Sequence, residues 1–156
     1  MVLRRRRKDG RRMLLDALSA VRQARVRIRM YTSRLGGLQA EEARRLRESL
    51  YYVDYILEAI SLRLETILTV SGAVQGLDED LLRLPYELSK TLSREAESLP
   101  PEIGALLDSI EQGIASLLPE GYATGIIGGE ELSPQAETII KDARERARRE
   151  AEKAEA

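Results

Sequence analysis

The chain has 156 residues, 43% of them hydrophobic, and contains six Tyr but no Phe, Trp, Cys or His. This length favours one domain, and the missing residue types exclude disulfides, thiolate metal sites and His-based acid–base chemistry, so we expect neither an enzyme nor a cofactor. Residues 1–40 carry twelve of the 25 basic residues and two acids, a net charge of +10, whereas residues 41–156 carry −11. Such a dipolar chain is suited to bind an anionic surface at one end and copies of itself at the other.

Residues 1–10 are predicted to form a basic N-terminal arm, continued by Arg11 and Arg12. The arm can bind anionic lipid, at about 1 kcal/mol per basic residue, or nucleic-acid phosphates, or it can be a disordered solubilising tail. The apolar residues 1–3 ahead of the bases can insert among headgroups, but the arm by itself does not distinguish lipid from nucleic acid. The aromatic residues of single-stranded nucleic-acid sites are also missing from this region, apart from Tyr31. The basic residues of the arm are Arg4, Arg5, Arg6, Arg7 and Lys8.

The chain start has some features of a signal peptide, but Asp16 interrupts the apolar run, and arginines follow where a cleavage site would lie. No segment approaches the roughly 18 consecutive apolar residues that a membrane span needs. We therefore expect an unprocessed cytoplasmic protein that lies peripherally on the inner face of the cell membrane.

Residues 11–35 are predicted to form the first helix, because apolar residues recur at spacings of three and four until Gly36 and Gly37. On a helical wheel one basic stripe runs beside this apolar seam, and Arg27 and Arg34 lie on its other side. The helix thus has a buried face and a basic face. The seam consists of Leu14, Ala17, Val21, Ala24, Ile28, Tyr31 and Leu35, and the stripe of Arg11, Arg22, Arg25 and Arg29.

The second predicted helix, about 39–70, has a longer seam at alternating spacings of three and four. Two such helices joined by a Gly-Gly loop predict an antiparallel hairpin. The second helix is longer than the first, so part of its seam and the cluster of Tyr51, Tyr52 and Tyr55 need a further partner. This partner is either a later helix or a second subunit. The seam comprises Ala43, Leu46, Leu50, Val53, Leu57, Ile60, Leu64 and Ile67.

A third helix is predicted after Asp78, with Pro85 either kinking it or delaying its start to about residue 84. Pro100 and Pro101 end it near residue 99 and begin a fourth helix over 101–118. Segment 78–132 has twelve acids and three bases, which makes it the electrostatic complement of the N-terminus.

Residues 119–132 are predicted to be a Gly-rich linker without a ligand, since they lack the Lys-Ser/Thr ending of a phosphate loop. Ser133 is the predicted N-cap and Pro134 the first residue of a last helix, within a segment 133–156. Its six acids and six bases indicate a solvated, detachable helix held mainly by i,i+4 pairs. The fold class is therefore all-α: a long antiparallel helical hairpin with shorter packed helices, together over 11–118, and a C-terminal tail helix.

Three segments carry a resemblance to a known family. Residues 24–35 (ARVRIRMYTSRL) and 61–68 (SLRLETIL) resemble the two hairpin helices of archaeal ESCRT-III cell-division proteins of the CdvB type. Residues 99–111, which start LPPEI, are similar to a later helix of that family. Together the similarity covers about residues 11–118.

The resemblance implies a filament-forming protein that constricts the membrane during archaeal cell division or vesicle budding, located at the division site. Its partners would be anionic membrane lipid, itself and ESCRT-III paralogues. In that family a later acidic helix folds back on the hairpin to hold a closed form, and an AAA+ ATPase disassembles the polymer. Here no Pro-rich ATPase-binding motif follows the linker, and residues 134–156 lack the regularly spaced leucines of the other binding helix.

From these considerations we assign two sets of site residues. Nucleic acid is not favoured as a partner, although an architectural nucleic-acid-binding protein and a soluble helical adaptor stay as alternatives. The membrane-binding set is Arg4, Arg5, Arg6, Arg7, Lys8, Arg11, Arg12, Arg22, Arg25 and Arg29. The polymer or autoinhibitory interface is Arg27, Arg34, Leu57, Ile60, Leu64, Ile103, Leu107 and Ile110.

Overall fold

The computed structural model describes residues 2–35, 39–71, 79–118 and 132–155, and within these ranges it describes the side chains of all residues except 2–9, 71, 79 and 155. The predicted Gly-Gly loop and most of the Gly-rich linker lie outside these residues. Five α-helices are described, and the described ranges contain no strand, which confirms the all-α prediction. The helices are α1 (Val2–Thr32), α2 (Ala40–Ser71), α3 (Glu79–Arg94), α4 (Pro101–Ala115) and α5 (Pro134–Glu155), with a 3-10 turn at Ala96–Ser98.

The predicted antiparallel hairpin of α1 and α2 is confirmed. Arg22 pairs with Glu65, and Arg25, one turn later in α1, pairs with Asp54, earlier in α2. The two helices pack together, and most apolar side chains of their seams are almost completely inaccessible to solvent, whereas Tyr31 and Leu46 are partly buried. Burial of these side chains is the main stabilising contribution to the hairpin. The fully buried members include Leu14, Val21, Ile28, Leu50, Leu57 and Leu64.

The first helix begins at Val2, nine residues earlier than predicted, so the backbone of the basic arm is helical. Arg and Lys have high helix propensity, and residues 2–10 contain no Pro that would end the helix. Of the side chains of residues 2–9 the structure describes nothing, so the predicted lipid contacts of Arg4 to Lys8 lie outside the described side chains.

Helices α3 and α4 close a four-helix bundle, because α3 contacts α2 and α4, and α4 contacts α1. Of the two alternatives for Pro85, the delayed start near residue 84 is wrong: α3 begins at Glu79 and includes Pro85. A proline inside a helix removes one backbone donor, but Leu82, Leu84 and Tyr86 around it are buried, and their packing outweighs this loss. The helix ends at Arg94, before the predicted end at residue 99, and the 3-10 turn continues the chain to α4.

The last helix is not the solvated helix that its charges suggested. It packs against α2 and α3, and four alanines on one side of it are buried: Ala136, Ala143, Ala147 and Ala151. Because alanine side chains are small, this row of alanines lets α5 approach α2 closely. Among its own charges a pair between Lys153 and Glu150 is formed at 3.5 Å. The prediction of a helix held mainly by i,i+4 pairs is therefore wrong.

The predicted start of this helix is confirmed. The Ser133 hydroxyl accepts a hydrogen bond from the Ala136 amide (3.2 Å), and Pro134 is the first helical residue. The same hydroxyl donates to the carboxylate of Glu87 in α3 at 2.7 Å. The cap of α5 is thus bonded to the bundle that α5 covers.

Helix α5 is also the partner that the tyrosines of α2 were predicted to need. The Arg144 guanidinium lies 4.4 Å from the ring centroid of Tyr52, and Arg146 lies 4.2 Å from that of Tyr55. These are cation–π contacts, which add to the apolar contact between the helices.

Within the described residues, no helix combines the length and apolarity that crossing a membrane requires.

Candidate functional site

The solvent-facing side of α1 combines basic and exposed apolar residues. Leu15, Val26 and Met30 are 47%, 55% and 39% exposed, although large apolar side chains are usually buried. They recur on the helical face that also bears exposed arginines. We call this face the α1 stripe; it consists of Arg11, Arg12, Leu15, Arg22, Val26, Arg29 and Met30.

Exposed large apolar residues in the described part of the chain are confined to the hairpin. Besides the three in the α1 stripe, Leu62 and Val70 of α2 are exposed, and none occurs in α3, α4 or the described α5. Exposed apolar groups that cluster on one side of a molecule mark interaction surfaces. The outer side of the hairpin is therefore the strongest candidate for a binding surface.

Ion pairing divides the arginines of α1 into two groups. Arg25 is largely buried, and its Nε donates to Asp54 Oδ1 at 2.9 Å, with Glu58 at 3.7 Å from Nη2. Arg22 is exposed and pairs with Glu65 at 3.0 Å. Arg25 was predicted to bind membrane, but this geometry commits its guanidinium to α2 and favours a structural role.

The other arginines of the α1 stripe are available to an external anion. Within the described residues Arg11, Arg12 and Arg29 form no ion pair, and all three are exposed. An unpaired guanidinium can bind a phosphate without first losing a carboxylate partner. The predicted membrane-binding residues thus include a free subset in the α1 stripe.

A polar cluster joins the end of α1 to the start of α4. Arg27 Nη1 is 3.0 Å from Glu102 Oε1, and the Tyr31 hydroxyl donates to Glu102 Oε2 at 3.1 Å. This hydrogen bond to a carboxylate raises the pKa of Tyr31 above its ordinary value. Arg27 therefore makes an intramolecular contact here, whereas the Arg34 side chain is exposed.

The apolar residues that were predicted at a polymer or autoinhibitory interface lie in the core. Each is at most 1% exposed, so in this conformation they hold the bundle together and cannot contact a second molecule. These residues are Leu57, Ile60, Leu64, Ile103, Leu107 and Ile110.

Two features of the α5 contact were missed by sequence reasoning. Glu87 is only 2% exposed, and it pairs with Arg83 (3.0 Å) besides accepting the hydrogen bond from Ser133. Spacings of seven, four and four among the buried alanines of α5 were the available signal for its packed face. Nothing in the sequence indicated that Glu87 is buried, because an acidic residue in an acidic segment is usually solvated.

A cleft of about 680 Å³ lies between α2, the 3-10 turn and α5. Its wall includes Tyr52, whose buried hydroxyl has no hydrogen-bond partner among the described residues. Burial raises the pKa of this hydroxyl. Carboxylates (Glu42, Glu48, Glu95) and guanidinium groups (Arg45, Arg144) both line the cleft, so its charge selects neither an anion nor a cation. Across the described residues, no group of three potential His, Cys, Asp or Glu ligands is placed to hold a metal ion.

The chain was compared with known proteins at three levels. It matches no protein-family model, no curated protein and no solved structure. Its function is therefore inferred from the charge and geometry of the described helices.

Proposed function

We propose that this protein is a peripheral membrane protein that binds anionic lipid through its basic N-terminal arm and the α1 stripe, and that it assembles with itself or with paralogues. In this proposal it is an ESCRT-III-like subunit that remodels or constricts membrane in cell division or vesicle budding, on the inner face of the cell membrane. The single observation that carries the proposal is the α1 stripe, in which unpaired arginines lie beside exposed Leu15, Val26 and Met30.

The α1 stripe has the composition of a helix that lies in a membrane interface. Arginines bind lipid phosphates while their methylene groups stay in apolar surroundings, and shallow apolar side chains insert between the headgroups. The electrostatic part amounts to about 1 kcal/mol for each basic residue near the surface. One copy would bind weakly, so attachment depends on many copies linked in a polymer.

The buried seam supports a closed state from which assembly begins. Leu57 and Leu64 are completely buried in the bundle, so another copy could reach them only after the bundle opens. The contact of α5 with α2 uses small alanines and two arginine–tyrosine pairs, and a Gly-rich segment precedes α5. In this proposal the release of α5 uncovers the surface of α2 around Tyr52 and Tyr55 and permits polymerisation.

Cosedimentation with vesicles tests the lipid-binding part directly. We expect binding to anionic but not to neutral vesicles, with a decrease at higher salt because the contact is ionic. Changing Arg4, Arg5, Arg6, Arg7 and Lys8 together to Ala should abolish binding. Duplex DNA serves as competitor: retention on DNA in preference to lipid would favour a nucleic-acid-binding protein, and indifference to both would favour a soluble adaptor.

A paired variant separates insertion from charge. Val26→Glu should prevent insertion of the α1 stripe while leaving the fold intact, since this side chain is 55% exposed. The control is Ser33→Glu, which adds the same charge on an exposed position of the turn that ends α1. Equal binding by both variants and the unchanged protein would contradict a membrane contact through α1.

A further inference from the structure

The outer surface of α2 lies between α1 and α5. Glu58 marks its centre: Arg25 of α1 is 3.7 Å from its carboxylate, and Glu58 also lines a small cavity with Ile139 and Arg146 of α5. Two turns further along α2, Glu65 pairs with Arg22 of the α1 stripe. The α1 stripe and one side of α5 therefore border the same face of α2.

The α2 part of this face is semi-apolar. Arg47, Tyr51, Glu58, Leu62 and Glu65 follow one another at spacings of four, seven, four and three, which keeps them on one side of the helix. Leu62 is 57% exposed, and Tyr51 is half-buried. The two carboxylates of this row are neutralised by arginines of α1, so the row adds little negative charge.

The α5 part of this face is basic towards its C-terminal end. Arg149 and Lys153 lie three and seven residues after Arg146, so they share its side of the helix. Both are exposed, as are the acids Glu145, one turn before Arg149, and Glu152, next to Lys153; Glu150 is half-buried at 3.5 Å from the Lys153 amine. Together with Arg29 of α1, Arg149 and Lys153 place positive charge on both edges of the face.

We propose that the membrane-contacting surface extends from the α1 stripe across α2 to α5. Arg149 and Lys153 bind anionic lipid headgroups, and Tyr51 enters the interfacial layer, where tyrosines are favoured because one end is apolar and the other polar. This inference rests on the proposed function. It adds that α5 stays docked on α2 when the protein first binds a membrane, so the closed form is competent to bind.

Charge reversal on two sides of α5 tests the inference. The variant Arg149→Glu with Lys153→Glu removes the proposed contacts, and its control, Lys141→Glu with Arg148→Glu, changes the net charge by the same amount. The control positions lie next to Arg144, on the side of α5 that pairs with Glu95 instead of the side towards α1. Vesicles contain equal parts of phosphatidylserine and phosphatidylcholine, and circular dichroism checks that both variants keep their helices.

We expect the first variant to bind these vesicles about tenfold more weakly or worse, and the control to change binding less than threefold. Equal losses in both variants, or no loss in the first, would overturn the inference. If the unchanged protein ignores the vesicles, the proposed function itself fails, which is a distinguishable result.

A fluorescence measurement tests the same inference without charge-reversal variants. The chain contains no Trp, so Tyr51→Trp and Lys141→Trp each introduce a single reporter. On addition of the same vesicles, emission from Trp at position 51 should shift to the blue and that from position 141 should not. A protein that binds vesicles without a shift at position 51 would refute the extended surface.

Discussion

Replacing Arg25 by Ala should destabilise the protein while sparing its attachment to membrane, the reverse of what the α1 charge pattern suggests. The Arg25 and Asp54 side chains are 21% and 16% exposed and are joined by a bond of 2.9 Å. Truncating Arg25 leaves the Asp54 carboxylate largely desolvated without its cation. Loss of a charge-assisted bond of this kind costs about 2–3 kcal/mol, less than a completely buried pair because water still reaches both groups.

For a chain of this size, that loss corresponds to a fall in Tm of roughly 5–10 °C. Urea and thermal unfolding, followed by circular dichroism, measure both quantities. The matched control is Arg29→Ala, which removes an exposed guanidinium one turn away and should change the free energy of unfolding by less than about 0.5 kcal/mol. In vesicle cosedimentation the ranking should invert, with Arg29→Ala binding more weakly than Arg25→Ala.

A double variant tests the physical cause of the destabilisation. Arg25→Met together with Asp54→Leu replaces the pair by apolar groups and should recover stability to within about 1 kcal/mol of the unchanged protein. An Arg25→Ala variant as stable as Arg29→Ala would refute the structural role of Arg25. A double variant less stable than Arg25→Ala would show that the pair is not a replaceable contact.

Three further predictions concern α5 and its contacts. Ser133→Ala removes the helix cap and a hydrogen bond to buried Glu87, so it should lower the free energy of unfolding by about 2 kcal/mol, whereas Ser133→Thr keeps the hydroxyl; equal urea midpoints for the two would contradict this. Burial raises the pKa of Tyr52 above its ordinary value of 10.0. The contribution of the neutral Tyr52 hydroxyl to the free energy of unfolding is therefore complete below pH 10.0 and is lost as the pH rises through the folded-state pKa. Tyr52→Phe should therefore lose less stability in alkaline urea titrations, and a steeper loss than in the unchanged protein would speak against it. Deleting residues 119–156 uncovers Tyr52 and the adjoining surface of α2, so sedimentation velocity should detect larger assemblies; an unchanged monomeric size would indicate that α5 does not restrain association.

The hairpin could be predicted from the sequence because its determinants are local. Apolar residues at spacings of three and four define a helix and its buried side, and Leu14 to Leu35 and Ala43 to Ile67 keep that pattern throughout. The cap at Ser133 was likewise readable, since a capping side chain bonds an amide only three residues away. The same periodicity placed Arg11 and Arg29 on one basic side of α1.

The partners of these residues depend on the tertiary structure. Periodicity gives Arg25 and Arg29 the same basic stripe, but only the approach of α2 places Asp54 and Glu58 beside Arg25 and leaves Arg29 unpaired. Ala143 and Ala147 recur at helical spacing but are only weakly hydrophobic, so it is the surface of α2 that makes them a buried row. Helix formation is decided over a few neighbouring residues, whereas ion pairing and burial are decided by which helix lies opposite, and that information is distributed over the whole chain.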